Sequence, residues 1–353
     1  MARVLLVEPF HGGSHQRLVD TLAAALGADC WPATLPATKW HWRARTSALL
    51  LSQTIPTEHT FVTLFASSVL SLAELLGLRP DLARLHKVVY FHESQLDYPV
   101  RKVQERDFQF GYNQITTCLA ADMVVFNSKT LLRSFLDNIV RFLNQQPDQR
   151  PDGEAIRAAV AAKSRVVYFP LELPQRSLPA GRRAPVHIVW PHRWEHDKDP
   201  QAFFRVIDKL LEDGLDFRLS VLGQTCGEVP GVFQEARGRL EGRVVAWGYR
   251  EKEDFYVALQ DCDVAVSTAR HETYGVAMLE AAALGCFPLV PNRLVYPELY
   301  PPACLYNTEQ QLYKRLRDFC RRPALLDSSP PIEFERFSGA APAQALVACL
   351  QLD

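Results

Sequence analysis

Apolar and polar positions along this 353-residue chain alternate between two periods. The runs VLLVEP (4–9), FVTLFA (61–66), KVVYFHES (87–94), MVVFNS (123–128) and RVVYFPLEL (165–173) have the length and β-branched content of strands buried on both faces. Segments of helical spacing lie between them, around 15–27, across SSVLSLAELLGL (67–78) and over 107–121. Strands that alternate with helices predict a mostly parallel sheet covered on both sides. Residues 145–154, QQPDQRPDGE, keep neither period and predict an exposed loop.

The pattern stops at 174–185, PQRSLPAGRRAP, whose Pro, Gly and Arg content is that of a linker. It then restarts with VHIVWP (186–191), a helix near 200–213, FRLSVLG (217–223), RVVAWG (243–248), DVAVST (263–268), a helix near 275–285 and FPLVP (287–291). Helical text follows at 308–322 and 340–351. The chain therefore reads as α/β with two Rossmann-like domains, 1–173 and 186–335. A terminal helical segment, 336–353, is placed to pack back on the first.

Composition narrows the class. Lys and Arg (39) nearly balance Asp and Glu (40), which argues against a protein that coats nucleic acid through bulk charge. The eight cysteines form no C-x-x-C pair and several sit in apolar runs, as free thiols in a reducing compartment do. The opening strand is too short for a signal peptide, and no run is long enough to span a membrane. A cytoplasmic protein is expected.

The richest segment is STARHETYGVAMLEAAALGCFPLVP (267–291). A strand ends at Ser267, and a turn with Glu272, Thr273, Tyr274 and Gly275 opens an apolar helix carrying Glu280. Ligands bind α/β sheets at such carboxyl ends, and the first N–H groups of a helix suit a phosphate. Glu280 is placed to accept a pair of ribose hydroxyls, and Glu272 those of a second sugar. A capping carboxylate plus a solvated Glu is the plain structural alternative for two glutamates alone. After VHIVWP, Arg193 and Lys198 supply two cations for one side of a diphosphate. In the first half, the strand-end turn holds His11, Gly12 and Gly13, and a parallel-strand end holds His92, Glu93 and Gln95. Asn127 and Ser128 end another strand. Arg43, Arg45, Arg101, Lys102 and Arg106, with Trp31, Trp40, His41 and Trp42, form a basic, aromatic stretch suited to stacking on an unpaired base, or merely a solvated face.

Two metal signals are set aside. Asp261-Cys262-Asp263 has D-x-D spacing but precedes a buried strand, where Asp263 closes a turn. The pairs His11/His15 and His192/His196 would need continuous helix, which Gly12-Gly13 and Pro191 interrupt. No metal ligand set is predicted.

The Glu272-x7-Glu280 pair, Arg193…Lys198 and the two-half layout resemble the retaining GT-B glycosyltransferases. More narrowly, EPFHGGSHQ, YFHESQLDYP, FGYNQ (110–114), VFNS and PHRWEHDKDP resemble the tRNA-queuosine mannosyltransferase family. That resemblance implies a GT-B architecture, two Rossmann-like domains facing each other across a donor/acceptor cleft. It implies transfer of mannose from GDP-mannose to queuosine in the anticodon loop of tRNA(Asp), without a metal cofactor. It also implies donor contacts from Gly12, Gly13, Arg193, Lys198, Glu272, Thr273, Tyr274, Gly275 and Glu280, with His92 beside the transferred sugar. Acceptor-side candidates are His11, Glu93, Gln95, Asn127, Ser128, Arg43 and Arg45. No DNA partner, no membrane contact and a monomer are expected. A lipid or small-glycan acceptor, a non-catalytic nucleotide-sugar-binding protein and an epimerase of the same architecture are the competing readings.

Overall fold

The computed structural model describes residues 2–98, 107–174, 184–225, 229–328 and 330–352. The chain divides into two compact units: Met1–Leu171 with Glu335–Asp353, and Glu172–Phe334. The predicted linker lies, from 175 to 183, outside the described residues, as do Arg101, Lys102 and Arg106.

The first unit contains β1 (Val4–His11), α1 (Gly13–Leu26), β2 (Cys30–Pro36), α2 (Trp40–Thr54), β3 (Thr63–Ser67), α3 (Leu72–Leu78), β4 (His86–Phe91), α4 (Phe108–Ala120), β5 (Met123–Phe126), α5 (Lys129–Leu143), α6 (Gly153–Ala162) and β6 (Ser164–Val166). Its parallel sheet runs β2-β1-β3-β4-β5-β6. The chain starts in β1, steps outward to β2, and returns to the other side of β1 as β3. Strand order therefore reverses between β1 and β3, which opens a crevice at the carboxyl ends of those strands. The central strands β3, β4 and β5 are buried on both faces, which is why they read as continuous apolar runs.

β2 was not legible from sequence because Pro32 and Pro36 fall in it; it is a half-exposed edge strand, where missing N–H groups are tolerated. β6 is far shorter than the run 165–173 predicts. Beyond Val166 the chain leaves the sheet edge, and Leu171 forms an isolated parallel bridge with Ser338.

The second unit contains β7 (Val186–Pro191), α7 (Pro200–Glu212), β8 (Phe217–Leu222), α8 (Val232–Arg239), β9 (Val244–Gly248), α9 (Lys252–Gln260), β10 (Val264–Val266), α10 (Val276–Ala283), β11 (Phe287–Pro291), α11 (Tyr296–Leu299), β12 (Leu305–Tyr306) and α12 (Glu309–Arg321). The order β12-β11-β10-β7-β8-β9, all parallel, is the dinucleotide-fold order with its reversal between β7 and β10. Asp263 pins that central pair: its carboxylate accepts the His187 N–H at 2.8 Å, while the Asp261 carbonyl accepts from His187 Nδ1 at 2.8 Å. The D-x-D spacing thus sets strand register.

α13 (Ala340–Ala348) closes the first unit. Its exit is stitched beneath the sheet: the Leu350 carbonyl accepts from Thr63 Oγ1 at 2.8 Å, and the Cys349 carbonyl from His86 Nε2 at 3.2 Å. Leu346 and Leu350 are fully buried. Leu350→Ala should therefore cost about 2–5 kcal/mol by leaving a cavity. Denaturant unfolding checks this; a loss under about 0.5 kcal/mol, the range of surface substitutions, would contradict the packing role.

Candidate functional site

In the second unit, the loops that follow β7 and β10 flank the strand-order reversal. The loop after β7 is shaped by alternating anchors. His192 points inward and is 5% exposed; Arg193 points out, with 52% of its side chain exposed; Trp194 goes in again at 7%. Trp194 stacks on Phe233 at 4.2 Å with rings 5° apart, which fixes the backbone between the two basic residues. Arg193 is left on the surface with Glu195 Oε2 3.1 Å away. Gly223, at the end of β8, backs this loop so closely that a Cβ there would lie 1.8 Å from the His192 carbonyl oxygen.

Lys198 turns inward. Its Nζ donates to the His271 carbonyl at 2.8 Å and to Glu272 Oε2 at 3.3 Å, and lies 3.1 Å from Asp197 Oδ2. The two loops are joined further by the backbone N–H groups of Arg270 and His271, which donate to the Asp197 carbonyl at 2.7 and 3.2 Å. Thr268 Oγ1 donates to the Lys198 carbonyl at 2.8 Å, and Arg270 Nε to Asp199 Oδ2 at 2.6 Å. Burial works against the Lys198 charge, but Glu272 and Asp197 outweigh it and raise its pKa.

Glu272 folds back on its own turn: its Oε1 accepts from the N–H groups of Thr273 (3.2 Å), Tyr274 (3.4 Å) and Gly275 (3.0 Å), the three residues that precede α10. A carboxylate within one turn is the nearest anion to those dipoles, so it takes them. Burial raises the Glu272 pKa, yet Lys198, His192 and the amide hydrogen bonds pull it down to about 2. His192 is held near 3 by burial and then by the Lys198 charge, so it is a neutral imidazole. Glu280, on α10, is 4% exposed rather than solvated, and its Oε1 accepts from Tyr256 Oη of α9 at 2.9 Å.

In the first unit, Gly12 is the N-cap of α1 and stands where a Cβ would meet Ala37 Cβ at 2.4 Å; Gly13 has φ +57°. Both positions require glycine for local reasons. His11 lies 3.6 Å from Asp20. His92 follows β4 and is 6% exposed, with Nε2 buried and unpartnered. Gln114 of α4 holds the next residues: its Oε1 accepts the Gln95 N–H at 2.7 Å, and its Nε2 donates to the Glu93 carbonyl at 3.2 Å. Gln95 Nε2 in turn donates to Glu93 Oε1 at 3.0 Å.

Asn127 and Ser128 both make scaffold contacts. Asn127 Nδ2 donates to the His92 carbonyl at 3.0 Å. Ser128, fully buried, caps α5 by accepting the Leu131 N–H at 3.1 Å and donates to Asn127 Oδ1 at 3.0 Å. The aromatic stretch also divides. Trp31 packs near Phe61 (6.2 Å), and Trp40 against Phe110 (4.9 Å). Arg45 lies over the Phe110 ring at 4.6 Å with Asp107 3.9 Å away, and Arg43 Nε donates to the Pro36 carbonyl at 3.2 Å. Trp42 remains 63% exposed.

Sequence reasoning gave no role to Asp197, Tyr256 or Gln114, since nothing in a single chain shows which strand ends meet. Glu8 carried a readable signal: a carboxylate inside the apolar run VLLVEP.

Paired parallel sheets, each presenting polar and ionic loops at its strand-order reversal, define an α/β enzyme of the two-Rossmann glycosyltransferase class. Anabaena HepE in complex with UDP shares the fold with a TM-score of 0.70 at 13% identity, over 99% of each chain. So does sucrose-phosphate synthase from Thermosynechococcus elongatus, at 0.70 and 13% over 98% of each. The lipopolysaccharide outer core galactosyltransferase WaaB aligns at 0.66 and 13% over 98% of each. Residues 185–300 match the family model for glycosyl transferases group 1, and residues 3–171 the model for the tRNA-queuosine alpha-mannosyltransferase N-terminal region. A Drosophila melanogaster protein named tRNA-queuosine alpha-mannosyltransferase is 47% identical over 346 residues, covering 95% of this chain and 91% of the relative. The chain belongs to the tRNA-queuosine alpha-mannosyltransferase family of glycosyltransferases. Among the described residues, no helix is long and apolar enough to cross a membrane.

Gly223→Ala tests how the β7 loop is held. With the clash against the His192 carbonyl, nucleoside diphosphate affinity should fall by about tenfold or stability by about 2 kcal/mol, as expected of a core backbone displacement. Calorimetric titration and thermal unfolding that both match the parent protein would contradict the assignment.

Proposed function

We propose that the chain transfers mannose from GDP-mannose to queuosine in the anticodon loop of tRNA(Asp), in the cytoplasm and with retention of configuration. The carrying observation is the meeting of Lys198 and Glu272 from the ends of two different strands at the reversal point of the second sheet. Family membership supplies the sugar, nucleotide and acceptor of the reading.

The donor sits on the second unit. Glu280 receives ribose hydroxyls, with Tyr256 holding one of its oxygens so that the carboxylate keeps a fixed orientation. Arg193 is the exposed cation that swings onto the diphosphate; Lys198 is a fixed charge beneath it. Departure of the nucleotide builds negative charge on the diphosphate, and preplaced cations lower that barrier without reorganising. These two side chains meet the diphosphate's charge, so no divalent metal is required. Glu272 is not the nucleophile. Its charge is already spread over Lys198 and three amide N–H groups, and a carboxylate with a pKa near 2 attacks carbon poorly. Retention then follows from front-face attack assisted by the leaving phosphate, and the remaining Glu272 lone pairs orient a sugar hydroxyl.

The first unit offers a surface to the acceptor. Trp42, with Arg43 and Arg45 next to it on α2, offers an exposed ring for an unpaired base and cations for the flanking phosphates.

The deciding assay is mass spectrometry of tRNA from queuosine-containing and queuosine-free cells after incubation with the protein and GDP-mannose in EDTA. One hexose should appear on the queuosine-containing tRNA alone. Glu280→Ala should abolish this at low donor concentration and weaken GDP binding by about tenfold or more, the loss of a charge-assisted hydrogen bond. Hexose on neither tRNA, from protein that binds GDP, would contradict the acceptor and point to a lipid or small glycan. Activity that returns only with Mn²⁺ or Mg²⁺ would contradict the metal-free reading.

A further inference from the structure

The two loops that meet at the strand-order reversal of the second unit, residues 193–199 and 270–272, hold four carboxylates and three cations. Three of the carboxylates are closely paired. Asp199 Oδ2 accepts from Arg270 Nε at 2.6 Å, while Asp197 and Glu272 share Lys198 Nζ at 3.1 and 3.3 Å. Glu195 faces the third cation, the Arg193 guanidinium 3.1 Å away. A diphosphate brings further negative charge to loops where anions already outnumber cations. Arg193 is the cation best able to answer it, since its side chain is 52% exposed and that of Lys198 only 7%. An ion pair half in water is weak, and a diphosphate offers the guanidinium fork more oxygens and more charge than one carboxylate does.

Glu195 is not free to follow Arg193. Its N–H donates to the Arg193 carbonyl at 2.8 Å and its carbonyl accepts from the Lys198 N–H at 3.3 Å, so the backbone is held on both sides. The charged groups that act on its carboxylate are Arg193, Asp197 and Lys198. Lys198 is already committed to Asp197, Glu272 and the His271 carbonyl. Once the guanidinium leaves, Glu195 is a partly buried carboxylate beside a like charge, and such a pair is relieved by a proton. The tendency is present already. Burial raises the Glu195 pKa above the ordinary carboxylate range; Arg193 opposes this, but Asp197 adds to it.

We propose that Glu195 is a positioning residue and proton acceptor for donor binding: it aims Arg193 along the loop after β7, yields it to the diphosphate, and takes up one proton from solvent in exchange. This rests on the reading that Arg193 meets the donor diphosphate. A neutral Glu195 neither repels the phosphates nor draws Arg193 back. Glu195 then holds its proton more tightly with the diphosphate in place than without it. Donor affinity is therefore fully present below the pKa that Glu195 has before binding, and is lost as pH rises through the higher one it has afterwards. The closest neighbours do not supply this dependence: His192 is held near 3, Glu272 near 2, and Lys198 above its ordinary value. His196 and His271 are the other histidines on the two loops.

The test is calorimetric titration of the full chain with GDP-mannose, in buffers of different ionisation enthalpy, which counts the protons taken up. The sugar nucleotide is used because the terminal phosphate of GDP itself titrates near about pH 6. Between pH 5.5 and 8 the parent should take up a proton with the donor, and its Kd should rise by about tenfold, as a one-unit pKa rise of a single group gives. Glu195→Gln, neutral at every pH, should take up none, show a Kd flat to within about twofold, and bind more tightly than the parent at pH 8. Arg193→Met should bind about tenfold more weakly, the loss of a charge-assisted contact, and take up less proton because its Glu195 has no cation to yield. A parent Kd that is constant over this range would overturn the exchange. So would proton uptake that persists undiminished in both variants, as uptake by His196 or His271 would. UDP-glucose is titrated alongside: binding of that nucleotide alone, with the same proton uptake lost in Glu195→Gln, would refute GDP-mannose as the donor and uphold the exchange.

Discussion

A single buried ammonium group organises the second unit of this protein. Lys198 Nζ is tied to Glu272, Asp197 and the His271 carbonyl, and so joins the loop that follows β7 to the loop that follows β10. Those strands are neighbours in space but about 75 residues apart in the chain, at the one place in the sheet where strand order reverses. Nothing in a parallel sheet brings two such loops together by itself. An ion pair of this kind does, because a charge withdrawn from water holds its partner strongly and is penalised when left alone. The same ammonium group pulls the Glu272 pKa down against burial and, after burial itself, lowers that of His192.

The first sheet uses a parallel device with different chemistry. Glu8 on β1 reaches Ser67 at the end of β3 and His15 on α1, again across the strand-order reversal. In both units a carboxylate that should be costly is made tolerable by donors from separate elements. In both, an imidazole lies close by, His192 in the second unit and His15 in the first, and burial is the largest influence on its pKa. Stability and function are thus drawn from the same contacts, and core packing elsewhere, such as Trp194 on Phe233, serves to aim them.

Much of this was legible in the sequence. VHIVWP and FPLVP mark strands to the residue, since a strand buried on both faces reads as an uninterrupted apolar run. Glu272, Glu280, Arg193 and Lys198 could be placed after strand ends or on the following helix because strand–turn–helix boundaries are local features. What stayed hidden was whatever depends on long-range pairing. The proline-bearing edge strand β2, the inward turn of Lys198, the Ser128 cap and the Glu8–His15–His92 stack all rest on neighbours that sequence spacing does not name. The way Glu272 folds back on the N–H groups of Thr273, Tyr274 and Gly275 was equally unreadable from spacing.

The central claim is that Lys198 and Glu272 act as one unit across the reversal point. A double-mutant cycle with Lys198→Met, Glu272→Gln and the double variant, read by denaturant unfolding at pH 7.5, tests it most directly. The account predicts strongly destabilised single variants and a coupling energy of about 1–3 kcal/mol, the range for directly contacting charged residues. Effects that add to within about 0.5 kcal/mol, as those of independent sites do, would contradict it.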